Sequence, residues 1–215
     1  MKTSKAQIVR EYGPFPDVKA VHGLTYDGQY VWFGTGDKLR AVDPATGGTP
    51  RTLDVPADAG TAFDGRHLYQ MSDGVIRKID PATGAVVATI PAPGAGEDSG
   101  LAWAEGSLWV GQYKHCKIHQ IDPDSGEILR TIETNRFVTG VAWADGQLWH
   151  GTWEGESSAL QRIDPATGDV LETLEMPAGM PVSGIESDGG GQFFCGGGPG
   201  GTIRLVRRPK PERAA

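Results

Sequence analysis

Residues that can move protons recur at one position of a repeated pattern in this sequence. Each precedes a glycine that opens a short predicted strand, and four of the five have an imidazole or hydroxyl group. The five residues are His22, Ala59, Ser99, Thr139 and Ser183. Imidazole titrates near neutral pH and serves as a general acid or base, whereas hydroxyls hydrogen-bond polar substrates. The pattern indicates acid–base chemistry on a small molecule.

A second group of candidates follows the second predicted strand of each repeat. Its free carboxylates are Asp73 and Glu154, and together with His22 they are the predicted catalytic residues. The predicted substrate-binding residues are Ser99, Gln112, Tyr113, His115, Thr139, His150, Trp153 and Ser183. Acids, imidazoles and aromatic rings around a concavity are typical of a small-molecule site.

Metal binding is the weaker hypothesis for these residues. His115, Cys116 and Cys195 offer the imidazole and thiolate ligands that soft metals prefer. No Cys-x-x-Cys or His-x-x-x-His spacing accompanies them, and adjacent residues of a strand point to opposite faces. We therefore predict no resident cofactor and keep a divalent metal at these three residues as the alternative.

The elements that position the candidates follow a repeat of about 40 residues, each with four short strands, which is typical of β-propeller blades. The repeat is marked by turns at Asp43–Gly47, Asp80–Gly84, Asp122–Gly126 and Asp164–Gly168. There are five inner hairpins, but only four outer strands follow such a turn. Gln7–Tyr12 alternates like Glu127–Ile132 and is predicted to be the fifth outer strand. Closing the ring in this way removes an open sheet edge.

The sequence therefore predicts an all-β fold, a single five-bladed β-propeller in which an N-terminal strand joins the last blade. The predicted boundaries are 7–12 for the closing strand, 20–56, 57–93, 98–133, 137–176 and 182–208 for blades one to five, and 209–215 for a tail. Two columns of residues recur on the second strands. We expect the first to pack between blades and the second to face the mouth of the central channel. The first is Trp32, Tyr69, Trp109, Trp149 and Phe194, and the second is Phe33, Gln70, Val110, His150 and Cys195.

Charge and composition exclude several classes of function. The net charge of −7 argues against nucleic-acid binding, which requires a basic surface. No apolar run approaches the length needed to cross a membrane, and Met1–Arg10 lacks the apolar segment of a secretory signal. Two cysteines make no disulfide framework. We expect a monomeric cytoplasmic protein whose partner is a small molecule, with no nucleic-acid or membrane partner.

Several stretches resemble the plant-type and bacterial glutaminyl cyclases (glutamine cyclotransferases), five-bladed propellers that convert N-terminal glutamine to pyroglutamate. The matching stretches are Gly23–Gly28, Leu68–Gln70, Asp73–Val75, Leu148–Trp149 with Trp153, Arg162–Pro165 and Gly184–Ile185. The resemblance implies that Asp73 stands where the family has its proton-carrying glutamate. It also places Trp153 in the substrate pocket.

The sequence departs from that family at several pocket positions. His22 replaces the family's glutamine, Thr139 replaces its asparagine, and Phe194–Gly197 lacks its lysine. The tryptophan expected beside the acid in blade two is also missing. The resemblance therefore implies a shared scaffold with a different substrate.

Three functions remain open on the sequence. The first is an acid–base enzyme at the propeller mouth, acting by cyclase-like acyl transfer or by elimination. The second is a metal-assisted lyase resembling the streptogramin lyases, with His150 or His115 acting alongside Glu154. The third is a non-catalytic propeller that binds a metabolite or a protein, which a large exposed apolar patch would favour.

Overall fold

The computed structural model describes residues 2–198 and 200–207, so the predicted tail at 209–215 lies outside the described part. These residues form strands and turns, and no helix among them could span a membrane. The first two strands are β1 (Lys2–Lys5) and β2 (Gln7–Tyr12). All the strands belong to five sheets, which confirms the predicted five-bladed β-propeller.

Each blade contains four antiparallel strands, because short alternating segments are joined by tight turns, and blade four has a fifth, parallel strand. Blade one is β3 (Leu24–Tyr26), β4 (Val31–Gly34), β5 (Leu39–Val42) and β6 (Arg51–Leu53). Blade two is β7 (Thr61–Phe63), β8 (Leu68–Ser72), β9 (Val75–Ile79) and β10 (Val86–Pro91). Blade three is β11 (Asp98–Ala104), β12 (Ser107–Gln112), β13 (Lys117–Ile121) and β14 (Ile128–Glu133).

The last two blades both incorporate N-terminal strands. Blade four is β15 (Val141–Ala144), β16 (Gln147–Glu154), β17 (Ser157–Ile163) and β18 (Val170–Glu175), with β1 added outside β18. Blade five is β19 (Gly184–Ser187), β20 (Gln192–Gly196), β21 (Ile203–Arg207) and β2. The ring is therefore closed as predicted, by an outer strand from the opposite end of the described chain.

The closing strand β2 is held by pairing, by charge and by packing. It pairs antiparallel with β21, from Gln7 opposite Arg207 to Tyr12 opposite Ile203. Arg204 Nε donates to Glu11 Oε1 at 2.9 Å across this pairing. Tyr12 is buried in an apolar cluster that joins blades five and one. Closure of the ring therefore depends on the packing of β2 as well as on its backbone hydrogen bonds.

The fifth strand on blade four was not predicted from the sequence. Residues of β1 run parallel to β18, with Lys2 opposite Glu172 and Lys5 opposite Glu175. Lys-Thr-Ser-Lys has no apolar alternation, so the sequence contains no strand signal there. The opposite charges of the facing residues favour this position for β1.

Aromatic rings fill the interfaces between neighbouring blades. Tyr69 of blade two stacks on Trp103 of blade three at 5.6 Å between ring centroids. Trp109 of blade three stacks in the same way on Trp143 of blade four at 5.3 Å. The first aromatic column therefore packs between blades, as predicted, because a ring on the second strand of one blade meets a ring on the inner strand of the next.

The centre of the propeller is closed by a ring of five glycines. They are Gly23, Gly60, Gly100, Gly140 and Gly184, one at the start of each inner strand. A methyl group on Gly140 would lie 2.7 Å from Ile185 N and 2.9 Å from Gly184 Cα. The space inside the ring has no room for a water molecule. Glycine is required here because the backbones of adjacent inner strands are in direct contact.

The aspartates of the repeated Asp-Pro turns accept hydrogen bonds from the backbone of their own turns. Asp80 Oδ1 accepts the N–H groups of Ala82 at 2.7 Å and Thr83 at 3.1 Å. These backbone hydrogen bonds lower the pKa of Asp80, and equivalent bonds lower the pKa values of Asp43 and Asp122. The carboxylates of Asp43, Asp80 and Asp122 are therefore ionised groups that hold their turns in shape.

One acid lies between blades five and one, outside the candidate site. Glu186 Oε2 accepts a hydrogen bond from Thr25 Oγ1 at 2.8 Å, and its Oε1 accepts the Ser187 N–H at 2.8 Å. Burial raises the pKa of Glu186 from 4.5 to about 7, against the effect of these two hydrogen bonds. The folded protein therefore favours the protonated carboxyl.

This raised pKa predicts a pH-dependent stability. The folded state binds the Glu186 proton more tightly than the unfolded chain, so the stabilisation is complete below pH 4.5 and is lost as the pH rises to about 7. We expect the loss to be about 2 kcal/mol, after a discount for partial solvent contact. Glu186→Gln should remove that share of the pH dependence in urea unfolding measured from pH 4.5 to 8. Equal slopes for the variant and the parent protein would contradict the assignment.

Candidate functional site

One cavity, the mouth cavity, lies at the end of the propeller where the segments that enter the inner strands converge. Its volume is about 350 Å³. The segments before the inner strands contribute His22, Ala59, Ser99, Thr139 and Ser183, one residue from each blade. Gly23, Asp58, Asp98, Tyr113 and Trp153 complete the lining. The structure thus brings together the residues collected from the repeat, because strands at equivalent positions start at the same end of the ring.

Two of the predicted substrate-binding hydroxyls hold blades together. Ser99 Oγ lies 2.7 Å from the carbonyl oxygen of Val138 in the next blade. Ser183 Oγ lies 2.6 Å from the carbonyl oxygen of Val21, across the interface between blades five and one. Each hydroxyl donates its proton to backbone, so it faces the cavity mainly as a hydrogen-bond acceptor. Their contribution to the site is therefore to fix its walls.

Asp98 is one of two acids of this cavity that were not predicted from the sequence. Its Oδ2 accepts the Gly94 N–H at 2.9 Å, and its Oδ1 accepts the Gln112 side-chain amide at 3.2 Å. A β-bulge between Asp98 and Leu101 at the start of β11 sets its position. Burial raises the pKa of Asp98, and the two hydrogen bonds only partly offset this effect. A carboxyl group with a raised pKa is suited to both taking up and releasing a proton.

A signal in the repeat points to this acid and to a second one. The position just before the column of His22, Ala59, Ser99, Thr139 and Ser183 is a buried valine in blades one, four and five. In blades two and three the same position holds Asp58 and Asp98. An acid at a position where the other blades have a core valine breaks the apolar pattern of the repeat. Such breaks are typical of functional positions. Reading this column as well would have found both residues.

Tyr113 and Trp153 form the aromatic side of the cavity. Tyr113 Oη donates to the Trp153 carbonyl oxygen at 2.9 Å, and the tyrosine ring stacks on Phe137 at 4.8 Å. Trp153 Nε1 donates to Gly155 O at 2.8 Å, which fixes the indole ring. Trp153 is nevertheless 38% exposed. Its ring is therefore held in position with much of its surface free to contact a ligand.

Five predicted residues are not among those that line the mouth cavity, namely Asp73, Gln112, His115, His150 and Glu154. Three of them, Asp73, His115 and Glu154, have charged partners of their own. Arg136 binds Glu154 through two hydrogen bonds of 2.9 Å, and these bonds lower the pKa of Glu154. His115 Nε2 lies 2.7 Å from Glu97 Oε2. Asp73 lies in a neighbouring cavity. Glu154 is therefore paired with Arg136 outside this cavity, and its catalytic role stays a prediction.

The second column, expected at the channel mouth, lies between blades instead. Its members, Phe33, Gln70, Val110, His150 and Cys195, are all buried. The reason is that neighbouring blades cover both faces of each strand two, so alternate residues face one neighbour or the other. Burial lowers the pKa of His150 to about 4 and raises the pKa of the Cys195 thiol. Both are neutral interior groups and do not reach the cavity.

The structure does not bring together the alternative metal ligands His115, Cys116 and Cys195. His115 is exposed at the edge of blade three, whereas Cys195 is buried within blade five. Burial also raises the pKa of Cys116, which disfavours the thiolate that a metal needs. Within residues 2–198 and 200–207, no group of three histidine, cysteine or acidic side chains could hold a metal ion.

A second cavity of about 390 Å³ adjoins the first. The two share Asp58, Ala59 and Asp98, and the second cavity also includes Ser72 and Asp73 from the loop between β8 and β9. Asp73 Oδ2 lies 3.5 Å from Arg77 Nη2. The family resemblance pointed to Asp73, which lines this second cavity together with Asp98.

Comparison with known proteins places the chain by its fold. No protein-family model matches it, and no curated protein matches it significantly. The crystal structure of Myxococcus xanthus glutaminyl cyclase has a TM-score of 0.78 and 20% identity, over 96% of this chain and 97% of its own. A β-propeller domain from Myceliophteria thermophila has a TM-score of 0.59 and 11% identity, over 95% of this chain and 100% of its own.

Kuenenia stuttgartiensis hydrazine synthase has a TM-score of 0.52 and 20% identity, over 83% of this chain and 55% of its own. At identities this low, the similarity shows the architecture alone, and the chemistry must be argued from the residues of the site. The chain therefore has the five-bladed β-propeller fold, in the arrangement also seen in Myxococcus xanthus glutaminyl cyclase.

Proposed function

We propose that this protein is an enzyme that performs acid–base chemistry on a small molecule at the propeller mouth. The observation that supports it most is the presence of Asp98, a carboxyl group with a raised pKa, in the same cavity as His22. A cavity of this size with an aromatic side and convergent polar groups is typical of substrate sites. The glutaminyl-cyclase-like scaffold supports acyl transfer as the class of reaction.

In this reaction an amine of the substrate attacks the carbonyl carbon of an amide. Asp98 takes the proton from the attacking nitrogen, and the new carbon–nitrogen bond forms. The same proton then passes to the leaving nitrogen as the old carbon–nitrogen bond breaks, so ammonia departs neutral. One carboxyl group can serve both steps when its pKa lies near the working pH. His22 supplies a second proton carrier, and Trp153 orients the substrate.

The structure gives less support to the other two functions. For the metal-assisted lyase, His115 and Glu154 are paired with Glu97 and Arg136, and His150 is buried. For a protein-binding propeller, the exposed apolar residues of β10 and β14 lie on the outer edges of blades two and three, away from the mouth. The cavity and its acid therefore favour the enzyme.

Turnover of a glutamine-initiated peptide tests the proposal directly. The peptide would be incubated with the protein, and ammonia loss would be followed by mass spectrometry beside an active glutaminyl cyclase. A second series would carry other terminal amines and amides, because His22 and Thr139 change the pocket relative to that family. Amine transfer on any of these compounds supports the proposal. Binding of the compounds with no turnover would instead make the protein a binding module.

Replacing the acid gives a quantitative prediction for the same assay. Asp98→Asn should lower kcat/KM by about 100-fold, because a general acid–base group of this kind is lost while its size is kept. Glu127→Gln is the matched control, since it removes one exposed carboxylate at the opposite end of blade three. An Asp98→Asn protein with the kcat/KM of the control would exclude Asp98 as the proton carrier.

A further inference from the structure

The chemistry of the two adjoining cavities restricts the kind of molecule they can hold. Three carboxylates line them, Asp58, Asp73 and Asp98, and no lysine or arginine is among their lining residues. Asp58 is exposed and has no ion-pair or hydrogen-bond partner for its side chain among the described residues. Such a place has a negative potential, which attracts cations and repels anions.

Charge compensation within the protein differs among the three acids. Arg77 lies 3.5 Å from Asp73 and neutralises part of its charge. Asp98 accepts only neutral donors, the Gly94 N–H and the Gln112 amide. Asp58 and Asp98 belong to both cavities, so the uncompensated charge is concentrated where the cavities meet. A ligand with a positive group at that junction would contact both carboxylates.

The aromatic residues of the mouth cavity are an observation independent of the acids. Trp153 and Tyr113 form an aromatic side that can pack against an apolar body or lie over a cation.

We propose that the two cavities bind an organic cation, with a primary ammonium or guanidinium group on an apolar or aromatic body. The charged group lies at the junction between Asp58 and Asp98, and the body packs against Trp153. Asp73 binds a second, weaker hydrogen-bond donor because Arg77 already offsets its charge. This assignment rests on the proposed function in treating the mouth as the ligand site, and it adds the class of substrate.

Binding of a matched series of probes tests the assignment without requiring turnover. The probes are phenethylamine, its neutral N-acetyl derivative and the anion phenylpropionate, measured by calorimetry at low and high salt. We expect phenethylamine to bind at least about tenfold more tightly than the N-acetyl compound, since the charged contact is lost on acetylation. We expect phenylpropionate not to bind, and high salt to weaken binding of the amine.

Variants locate the charged contact. The double variant Asp58→Asn with Asp98→Asn should weaken phenethylamine binding by at least about tenfold. Asp58→Asn alone, at an exposed position that tolerates substitution, should weaken it by about threefold. Glu127→Gln should leave the affinity unchanged, because that carboxylate is remote from both cavities.

Several outcomes would overturn the assignment. Equal affinity for the amine and its N-acetyl derivative would do so, as would no binding of phenethylamine or unchanged affinity in the Asp58→Asn variant. Binding of the amine with no turnover of any peptide would leave the cation site in place and remove the proposed enzyme. Turnover inhibited equally by the neutral probe would keep the enzyme and remove the cation site.

Discussion

Replacing Gly140 by alanine should destabilise the protein by at least about 3 kcal/mol. The new methyl group would lie within 3 Å of three backbone atoms of β19, and backbone at the centre of five packed blades cannot move aside. For a protein of this size the expected fall in melting temperature is about 6 °C or more. Urea and thermal unfolding would measure both quantities.

Gly48→Ala is the matched control for this substitution. The nearest atom to its new methyl group would be Thr46 Oγ1 at 3.4 Å, in an exposed turn at the edge of blade one. We expect that variant to be within about 0.5 kcal/mol of the parent protein. If Gly140→Ala had the same melting temperature as the Gly48→Ala control, the inner strands would be free to separate, and the central contact would be less rigid than the structure indicates.

Removing residues 2–12 should abolish cooperative folding, whereas removing residues 2–5 should have a small effect. The longer deletion takes away β2, which pairs with β21 and buries Tyr12 between blades five and one. It also removes the Arg10 side chain, whose Nη1 donates to the Pro44 carbonyl oxygen at 2.7 Å in blade one. The shorter deletion removes only β1, which lies outside the four complete strands of blade four.

Circular dichroism and thermal melts of the two deletion variants would separate these effects. A synthetic peptide of residues 2–12 added to the longer deletion should restore a cooperative transition, because the added strand can pair with β21 and complete the ring as the protein folds. Equal melting temperatures for the two deletions would show that ring closure does not depend on β2. A longer deletion that melts like the parent protein would have the same meaning.

The fold could be predicted because its signals are local and repeated. Turn residues, strand alternation and the period of about 40 residues are all visible in the sequence, and the closing strand copies the pattern of Glu127–Ile132. The strand β1 lacks these signals, since its place depends on Glu172 and Glu175 of a distant strand. Pairing that is set by a remote partner cannot be found by periodicity.

The site was predicted in part for the same reason. The column of His22, Ala59, Ser99, Thr139 and Ser183 was found because the repeat aligns it, and all five line one cavity. Glu154 and His115 were taken for free groups because Arg136 and Glu97, their partners, lie on other loops. Asp98 was missed because the repeats were compared at the residue just before each glycine. The position before that one, where three blades have valine, was not compared.

The glycine ring determines by which route a ligand enters and leaves the mouth cavity. The inner strands meet without room for water at the centre, so the structure shows no passage for a ligand through the ring from one face to the other. Whatever occupies the mouth enters and leaves through the same opening. In the proposed reaction, a product still in place would exclude the next substrate, and inhibition by product should be competitive. The rate of release from the cavity would then set an upper limit on turnover, however fast the proposed proton transfers at Asp98 are.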